Sequence, residues 1–205
     1  MFRPVAIVLA GLLVSVPLAG RAEDPFEINA IAPLTGAFAF LGKEEAEALG
    51  VVESTVNKAG GIRGRQIKFV IADDGSNAQT AVQLTNNIIA KKAQVMLGTS
   101  AVAACSAMAP LLTNGPVDYC FSPGIHPPDG SYVFSASIST VDYIIASIRY
   151  MRERGWKKIA ILTSTDATGQ DAERAIGAAV SAPENGGTVS LVDQEHFNTS
   201  DVSVA

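Results

Sequence analysis

The stretch Pro33-Leu34-Thr35-Gly36-Ala37-Phe38-Ala39-Phe40-Leu41-Gly42 joins an apolar, strand-like run to a helical pattern. A glycine-bearing loop between a strand and a helix directs backbone N–H groups and a helix N-terminus to one edge of a sheet. Proteins that alternate strands and helices hold their ligands at that edge. The stretch therefore predicts an α/β fold with a ligand site at the carboxyl ends of its strands.

Strand-like runs alternate with helix-period segments along the chain. The predicted strands are 27–32, 66–72, 94–97, 117–121, 158–163 and 188–193. The predicted helices are 43–58, 78–91, 103–112, 141–154 and 170–181, with Ser76 or Asn77 capping the second. In the first helix, the predicted apolar stripe comprises Ala46, Leu49, Val52 and Val56. This alternation indicates doubly wound parallel sheets with helices on both faces.

Residues 1–22 have the pattern of a cleaved secretory signal. A charged start and an apolar stretch too short to span a membrane precede the small residues Gly20 and Ala22. We expect cleavage near Ala22 and no membrane insertion of the mature chain; a short membrane anchor is the alternative. The chain has a net charge of −5 at pH 7. It therefore lacks the basic surface by which proteins bind nucleic acid or anionic membranes.

Two cysteines fit an oxidising compartment. Cys105 falls near the start of a predicted helix, and Cys120 falls at the end of the next predicted strand. In a right-handed β-α-β unit these two positions share one edge of the sheet. The sequence therefore predicts a disulfide between them, with two buried free thiols as the alternative.

A dinucleotide site is excluded by the glycine spacing of the opening loop. Gly36 and Gly42 are too far apart for Gly-x-Gly-x-x-Gly, and Phe38 and Phe40 would block a pyrophosphate. The aromatic rings suit packing over an organic solute. The pair 73–74 after the second strand is interpreted as turn and helix-cap residues.

Four segments in order resemble the Leu/Ile/Val-binding family of periplasmic solute-binding proteins of ABC importers. They are 32–36, 57–65, 73–74 and 95–98. The resemblance extends over about residues 26–200 and implies a two-lobed periplasmic binding protein of type I. Lobe one is expected at 23–138 and lobe two at 139–205, the latter incomplete because family members are longer.

The resemblance also implies that ligand contacts lie at the strand ends of lobe one. In the family, the loop after the third strand binds a carboxylate through a serine and backbone amides. The corresponding loop contains Ser100, Ala101 and Val102, and the family's serine position falls at Val102 or Ala103. Phe40 is expected to face the same cleft. The alternative role for Thr99 and Ser100 is plain helix capping.

Two further loops carry expected ligand contacts. By the resemblance, Gly124 and His126 stand where the family contacts the ammonium of an amino acid, and a histidine can instead donate to a carboxylate or phenol oxygen. Asp166 and Thr168 occupy the strand-to-helix loop of lobe two. The alternatives are a surface histidine at 126 and helix capping by Thr165 or Asp166.

The function implied by the resemblance is import of a small carboxylated solute, handed to the membrane permease subunits of an ABC importer. His126, Thr168 and the phenylalanines favour an aromatic or amine-free acid over a branched-chain amino acid. The sequence carries no Cys-x-x-Cys, His-Glu-x-x-His, Gly-x-Ser-x-Gly or P-loop motif. We therefore expect neither an enzyme nor a cofactor or metal. The alternatives are a sensory module without transport, and a hydrolase or dehydrogenase.

Overall fold

The computed structural model describes residues 23–135 and 137–199, so the predicted signal sequence lies outside the described residues. Strands and helices alternate over most of this range. The strands are β1 (Phe26–Ala32), β2 (Ile67–Asp73), β3 (Val95–Leu97), β4 (Val117–Cys120), β5 (Val133–Ser135), β6 (Lys158–Ser164) and β7 (Ser190–Phe197). The helices are α1 (Ala39–Lys58), α2 (Ala78–Ala90), α3 (Val102–Met108), α4 (Thr140–Glu153) and α5 (Ala167–Ser181), and a 3-10 turn (Ala109–Leu112) extends α3.

The strands form two parallel sheets. The first has the order β2-β1-β3-β4-β5, and the second pairs β6 with β7. The chain moves one way from β1 to β2 and the opposite way from β2 to β3, so right-handed crossovers place α1 on one face and α2 and α3 on the other. Helices α2 and α3 do pack together. The doubly wound α/β prediction is therefore confirmed.

Each sheet has its own apolar core. In the first, Ile31 and Met96 lie under α2 and α3, whose Ala81, Ile88 and Met108 are buried against them. In the second, Ile148, Ile159, Ala179 and Val189 form a separate cluster under α4 and α5. Within residues 23–135 and 137–199, no helix is both long enough and apolar enough to cross a membrane.

The predicted apolar stripe of α1 is partly wrong. Leu49 is buried as expected, whereas Val52 is 46% exposed. Polar residues take its place: Glu53 accepts a hydrogen bond from the amide of Phe69 at 2.7 Å, and Asn57 bonds both backbone groups of Ile67. Since β2 is an edge strand, its unpaired backbone groups need partners, and α1 supplies them.

Gly42 lets α1 approach the loop that precedes it. A Cβ at Gly42 would lie 2.3 Å from the carbonyl oxygen of Pro33, whereas one at Gly50 in the same helix meets nothing within 4 Å. We expect Gly42→Ala to lower the free energy of unfolding by about 1–3 kcal/mol through overpacking. Gly50→Ala should raise it by up to about 1 kcal/mol through helix propensity. Urea denaturation of both variants checks this, and equal effects would contradict it.

Candidate functional site

The loops that follow β1, β2 and β3 are tied together at the carboxyl edge of the first sheet. Asp73 accepts from the hydroxyl of Thr35 at 2.7 Å and from its amide at 3.1 Å. Asp74 is fully buried and accepts from the hydroxyl of Thr99 at 2.5 Å and from the amide of Ser76 at 2.7 Å. The predicted cap role of this pair is wrong, because Asn77 caps α2. The two carboxylates instead hold three ligand-side loops in place.

The hydroxyl of Ser100 does not stand free. It donates to Oε1 of Glu45 on α1 at 2.5 Å, while Oε2 of Glu45 is shielded from solvent and has no hydrogen-bond partner. Burial raises the pKa of Glu45, the hydrogen bond from Ser100 lowers it, and nearby Asp74 raises it again, with a raised pKa as the result. Capping by Thr99 or Ser100 is also wrong, because α3 starts after Ala101 without a side-chain cap.

Three of the expected lobe-one residues meet a residue of α5. A Cβ added to Gly124 would lie 2.6 Å from Cγ2 of Val102 and 3.0 Å from Oδ2 of Asp171, so this glycine allows a close contact between α3 and α5. His126 Nε2 lies 2.9 Å from Oδ1 of Asp171. Gly124 and His126 therefore lie against Asp171, with Val102 beside Gly124, and Asp171 links the edges of the two sheets.

Asp171 is a buried carboxylate with partners on one oxygen. Its side chain is 4% exposed, Oδ1 also receives Arg174 at 3.1 Å, and Oδ2 has no hydrogen-bond partner. Burial acts to raise the pKa of Asp171, but the hydrogen bonds from His126 and Arg174 and the charge of His126 outweigh it and lower the pKa. Asp171 is therefore ionised, and the imidazole of His126 is engaged by it.

The remaining expected contacts do not join this cluster. Asp166 caps α5 by accepting from the amides of Thr168 and Gly169, so the helix begins at Ala167, three residues earlier than predicted. Thr168 is exposed, and Phe40 on the first turn of α1 is 64% exposed. Phe38, expected to pack over a solute, lies against the core of the first sheet. Ala101 is buried beside Val102.

Cys105 and Cys120 are joined by a disulfide, with Cα atoms 6.4 Å apart. The bond connects the first turn of α3 to the end of β4, and both residues are buried. It thereby fixes the loop between β3 and α3 relative to the loop between β4 and β5. The bond therefore restrains the backbone of the two loops that carry Ser100 and Gly124.

A cavity of about 570 Å³ lies beside this edge, between α3 and the loop of residues 125–133. Its walls include Ser106, Pro127, Pro128 and Tyr132, and His126 stands at its boundary. The cavity does not include Ser100, Gly124 or any residue of α5. The cavity therefore lies at the flank of the first sheet and is separate from the place where the strand-end loops meet.

Sequence reasoning missed two residues of the site, Glu45 and Asp171. Both lie on helices, where a charged residue is ordinarily assigned to solvent. A signal was available for Glu45, because it lies seven positions after Phe38 and four before Leu49, on the face of α1 that carries Gly42 and Leu49. For Asp171 the sequence holds no such signal, since Arg174 at i+3 is an ordinary surface pair and His126 comes from a distant loop.

Comparison with known proteins identifies the fold and the family. The sequence model of the periplasmic binding protein family matches residues 25–205. The Leu/Ile/Val-binding protein homolog 3 of Brucella melitensis is 30% identical over 84 residues, which are 41% of this chain and 23% of that protein. The leucine-, isoleucine-, valine-, threonine- and alanine-binding protein of Pseudomonas aeruginosa is 32% identical over 96 residues, 44% of this chain and 26% of that protein.

A solved structure extends the likeness to most of the described chain. The solute binding protein of an ABC transporter from Rhodopseudomonas palustris, in complex with 3,4-dihydroxy benzoic acid, superposes with a TM-score of 0.70 at 25% identity. The superposition covers 86% of this chain and 48% of that one, so the chain spans about half the length of this relative. The fold is that of type I periplasmic binding proteins. The chain belongs to the periplasmic binding protein family, whose members are solute-binding proteins and not enzymes.

Proposed function

We propose that this chain is the substrate-binding component of an ABC importer and that it holds a small carboxylated solute between its two α/β units. Family membership supports a solute-binding role. The relative from P. aeruginosa is named for amino acids, and the R. palustris structure is a complex with 3,4-dihydroxy benzoic acid; these solutes share a carboxylate. A carboxylate is therefore the solute group that this proposal requires.

The observation that carries the proposal is the meeting of the two sheets' ligand-side edges. Val102 and Gly124 follow strands of the first sheet, and Asp171 lies in the helix that follows β6 of the second. Doubly wound proteins bind ligands outside the carboxyl ends of their strands. Because two such edges face each other here, a solute between them contacts both units, and hinge motion can close them over it.

Backbone amides supply the donors for the carboxylate in this proposal. The N–H groups of Val102, Ala103 and Ala104 at the start of α3 have no intrahelical acceptor, and no side chain caps them. These N–H groups belong to residues that closely follow Ser100 in the sequence. Because the hydroxyl of Ser100 donates to Glu45, it does not donate to a bound anion. In this proposal the backbone amides donate in its place.

Calorimetry with matched pairs of solutes tests the carboxylate requirement. We expect leucine, benzoate or 3,4-dihydroxybenzoate to bind, and the corresponding uncharged amide to bind at least about tenfold more weakly, because a charge-assisted hydrogen bond is lost. Binding of an amide as tight as that of its acid, or no binding by any acid of the panel, would refute the proposal.

Gly124 provides a second test, in the protein itself. We expect Gly124→Ala to weaken binding of every acid by about tenfold or more, because the added methyl displaces Val102 and Asp171 at the meeting of the two units. Gly177→Ala is the matched control, since a Cβ at Gly177 on α5 meets nothing within 4 Å. Affinities measured by calorimetry should separate the two variants, and equal losses would contradict the placement of the site.

Export and partnership complete the proposal. Homologues of this family are periplasmic, and we propose that residues 1–22 are removed near Ala22 during export. The loaded protein then docks on the permease subunits of the importer. Amino-terminal sequencing of the protein from a periplasmic fraction should begin at or near Glu23, and a retained amino-terminal segment would contradict this step.

A further inference from the structure

We propose that Glu45 accepts a hydrogen bond from a donor group of the solute, a protonated amine or a hydroxyl group, and thereby selects acids that carry such a donor. The inference rests on the proposed function and deepens it. It makes the carboxylate of α1 a specificity-determining residue, in a position that the sequence pattern assigns to a solvated helix surface.

The location of Glu45 follows from the order of the strands. In the order β2-β1-β3-β4-β5 the direction of winding reverses between β1 and β3. A crevice opens at such a switch point outside the strand ends, and ligands bind there. Glu45 comes from the helix after β1, and Ser100 comes from the loop after β3. Their hydrogen bond of 2.5 Å therefore joins the elements on the two sides of the switch point.

The carboxylate has one oxygen left to use. Oε1 receives Ser100, whereas Oε2 is out of contact with water and has no donor within hydrogen-bond distance. A buried acceptor without a partner is costly, more so when it is charged. The side chain as a whole is partly exposed. Because the terminal torsion of a glutamate is soft, a small rotation presents Oε2 to a group that enters the crevice.

The surroundings favour a donor over an acceptor. Asp74, close to Glu45, has its oxygens bonded to Thr99 and Ser76 and adds negative charge. The side-chain donors that the sequence offers to an anion, Ser100 and His126, are both held by carboxylates of the protein. Side chains at the edge thus leave an oxygen of Glu45 unfilled, and a donor group of the solute can fill it.

Pairs of acids that differ only in the donor give the test. Leucine is compared with 4-methylpentanoate, and 3,4-dihydroxybenzoate with benzoate, on the parent protein and on Glu45→Gln by calorimetry. The glutamine keeps an oxygen for Ser100 but replaces the free acceptor with an amide donor. We expect the parent to prefer the donor-bearing member of at least one pair, and Glu45→Gln to reduce that preference by about 10- to 100-fold. The pair that responds distinguishes ammonium from hydroxyl.

Two control variants separate recognition from support of the loop. Glu44→Gln removes a neighbouring exposed charge and should leave the preference unchanged. Ser100→Ala breaks the same hydrogen bond from the other side but keeps the carboxylate, so it should retain the preference even if overall affinity falls. If Glu45→Gln shows no cooperative thermal unfolding, Glu45→Asp, which withdraws the carboxylate by one methylene, takes its place and should reduce the preference.

The outcomes divide cleanly. The role of Glu45 is overturned if the Glu45 variants keep the preference for donor-bearing acids. It is also overturned if Ser100→Ala reduces that preference as much as Glu45→Gln does. In both cases the carboxylate-binding function stands. A parent protein that binds acids but shows no preference within either pair also overturns it. Failure of the parent protein to bind any of the four acids overturns the proposed function, and this inference with it.

Discussion

Asparagine in place of Asp118 should remove most of a pH-dependent loss of stability, and at pH 8 the variant should be more stable than the parent protein by about 4 kcal/mol. Asp118 lies on β4 between Met96 of β3 and Val133 of β5. It is fully buried, and neither carboxylate oxygen has a hydrogen-bond partner. Burial raises the pKa of Asp118 to about 7.

The sign of the effect follows from linkage. The ordinary pKa of an aspartate, 3.8, applies to the unfolded chain, so between about pH 4 and pH 7 the folded protein keeps a proton that the unfolded chain has lost. Stability is therefore fully present below about pH 4 and decreases as the pH rises to 7, by about 1.4 kcal/mol per unit. Above pH 7 the loss is complete. Asparagine has the same shape as aspartate and carries no charge to bury. The free energy of unfolding of the Asp118→Asn variant therefore does not change over this pH range through ionisation at position 118.

Denaturant unfolding at pH 4, 6 and 8 checks the prediction. Other carboxylates titrate in both proteins, so the quantity to compare is the difference in free energy of unfolding between Asp118→Asn and the parent. That difference should be near zero at pH 4 and reach about 4 kcal/mol at pH 8. Asp129→Asn, in an exposed loop, serves as the control and should give the same small difference at each pH. A constant difference for Asp118→Asn would refute the argument.

Loss of the Cys105–Cys120 disulfide should lower the free energy of unfolding by about 3 kcal/mol. The bond closes a loop of 15 residues, and a crosslink of that span restricts the unfolded chain by about this amount in the chain-entropy model. The loop contains the second half of α3, from Cys105 to Met108, and its 3-10 extension. Since α3 has only two turns, its position depends on this crosslink and on the packing of Met108 and Leu112.

Three samples isolate the contribution of the bond. The oxidised parent, the parent unfolded in the presence of a reductant, and the double variant Cys105→Ala/Cys120→Ala are compared by urea denaturation. We expect the last two to be destabilised to a similar extent, and the double variant to be insensitive to reductant. An oxidised parent whose unfolding is unchanged by reductant would contradict the stabilising role of the disulfide.

Local patterns in the sequence were sufficient to predict the elements. Alternation of apolar runs with helical periods predicted the seven-strand, five-helix order apart from β5, because each run depends on neighbouring residues alone. The short strand β5 (Val133–Ser135) lay inside a polar-alternating segment and was not predicted as a strand. Polar alternation is a local strand signal, but a strand of three residues depends on its long-range parallel pairing with β4, which the sequence does not show.

The candidate site was predictable to the level of the loops. Residues after β3, β4 and β6 were expected at one edge because parallel strands place their carboxyl ends together. The structure places Gly124 and His126 against Asp171, with Val102 beside Gly124, and leaves Phe40 and Thr168 exposed. Asp166 was open between ligand contact and helix cap, and its bonds to the amides of α5 make it a cap.

The sequence by itself determined the alternation of strands and helices, the family, and the sheet edge at which we propose that a solute binds. Only the tertiary structure decided which charged groups stand there. Glu45, Asp118 and Asp171 carry the ordinary character of surface carboxylates in the sequence. Residues distant along the chain bury Asp118 and Asp171 and shield one oxygen of Glu45 from solvent. The physical reason is that hydrogen-bond satisfaction and the free energy of burying a charge depend on which distant elements meet around a group, and local periodicity carries no record of those meetings.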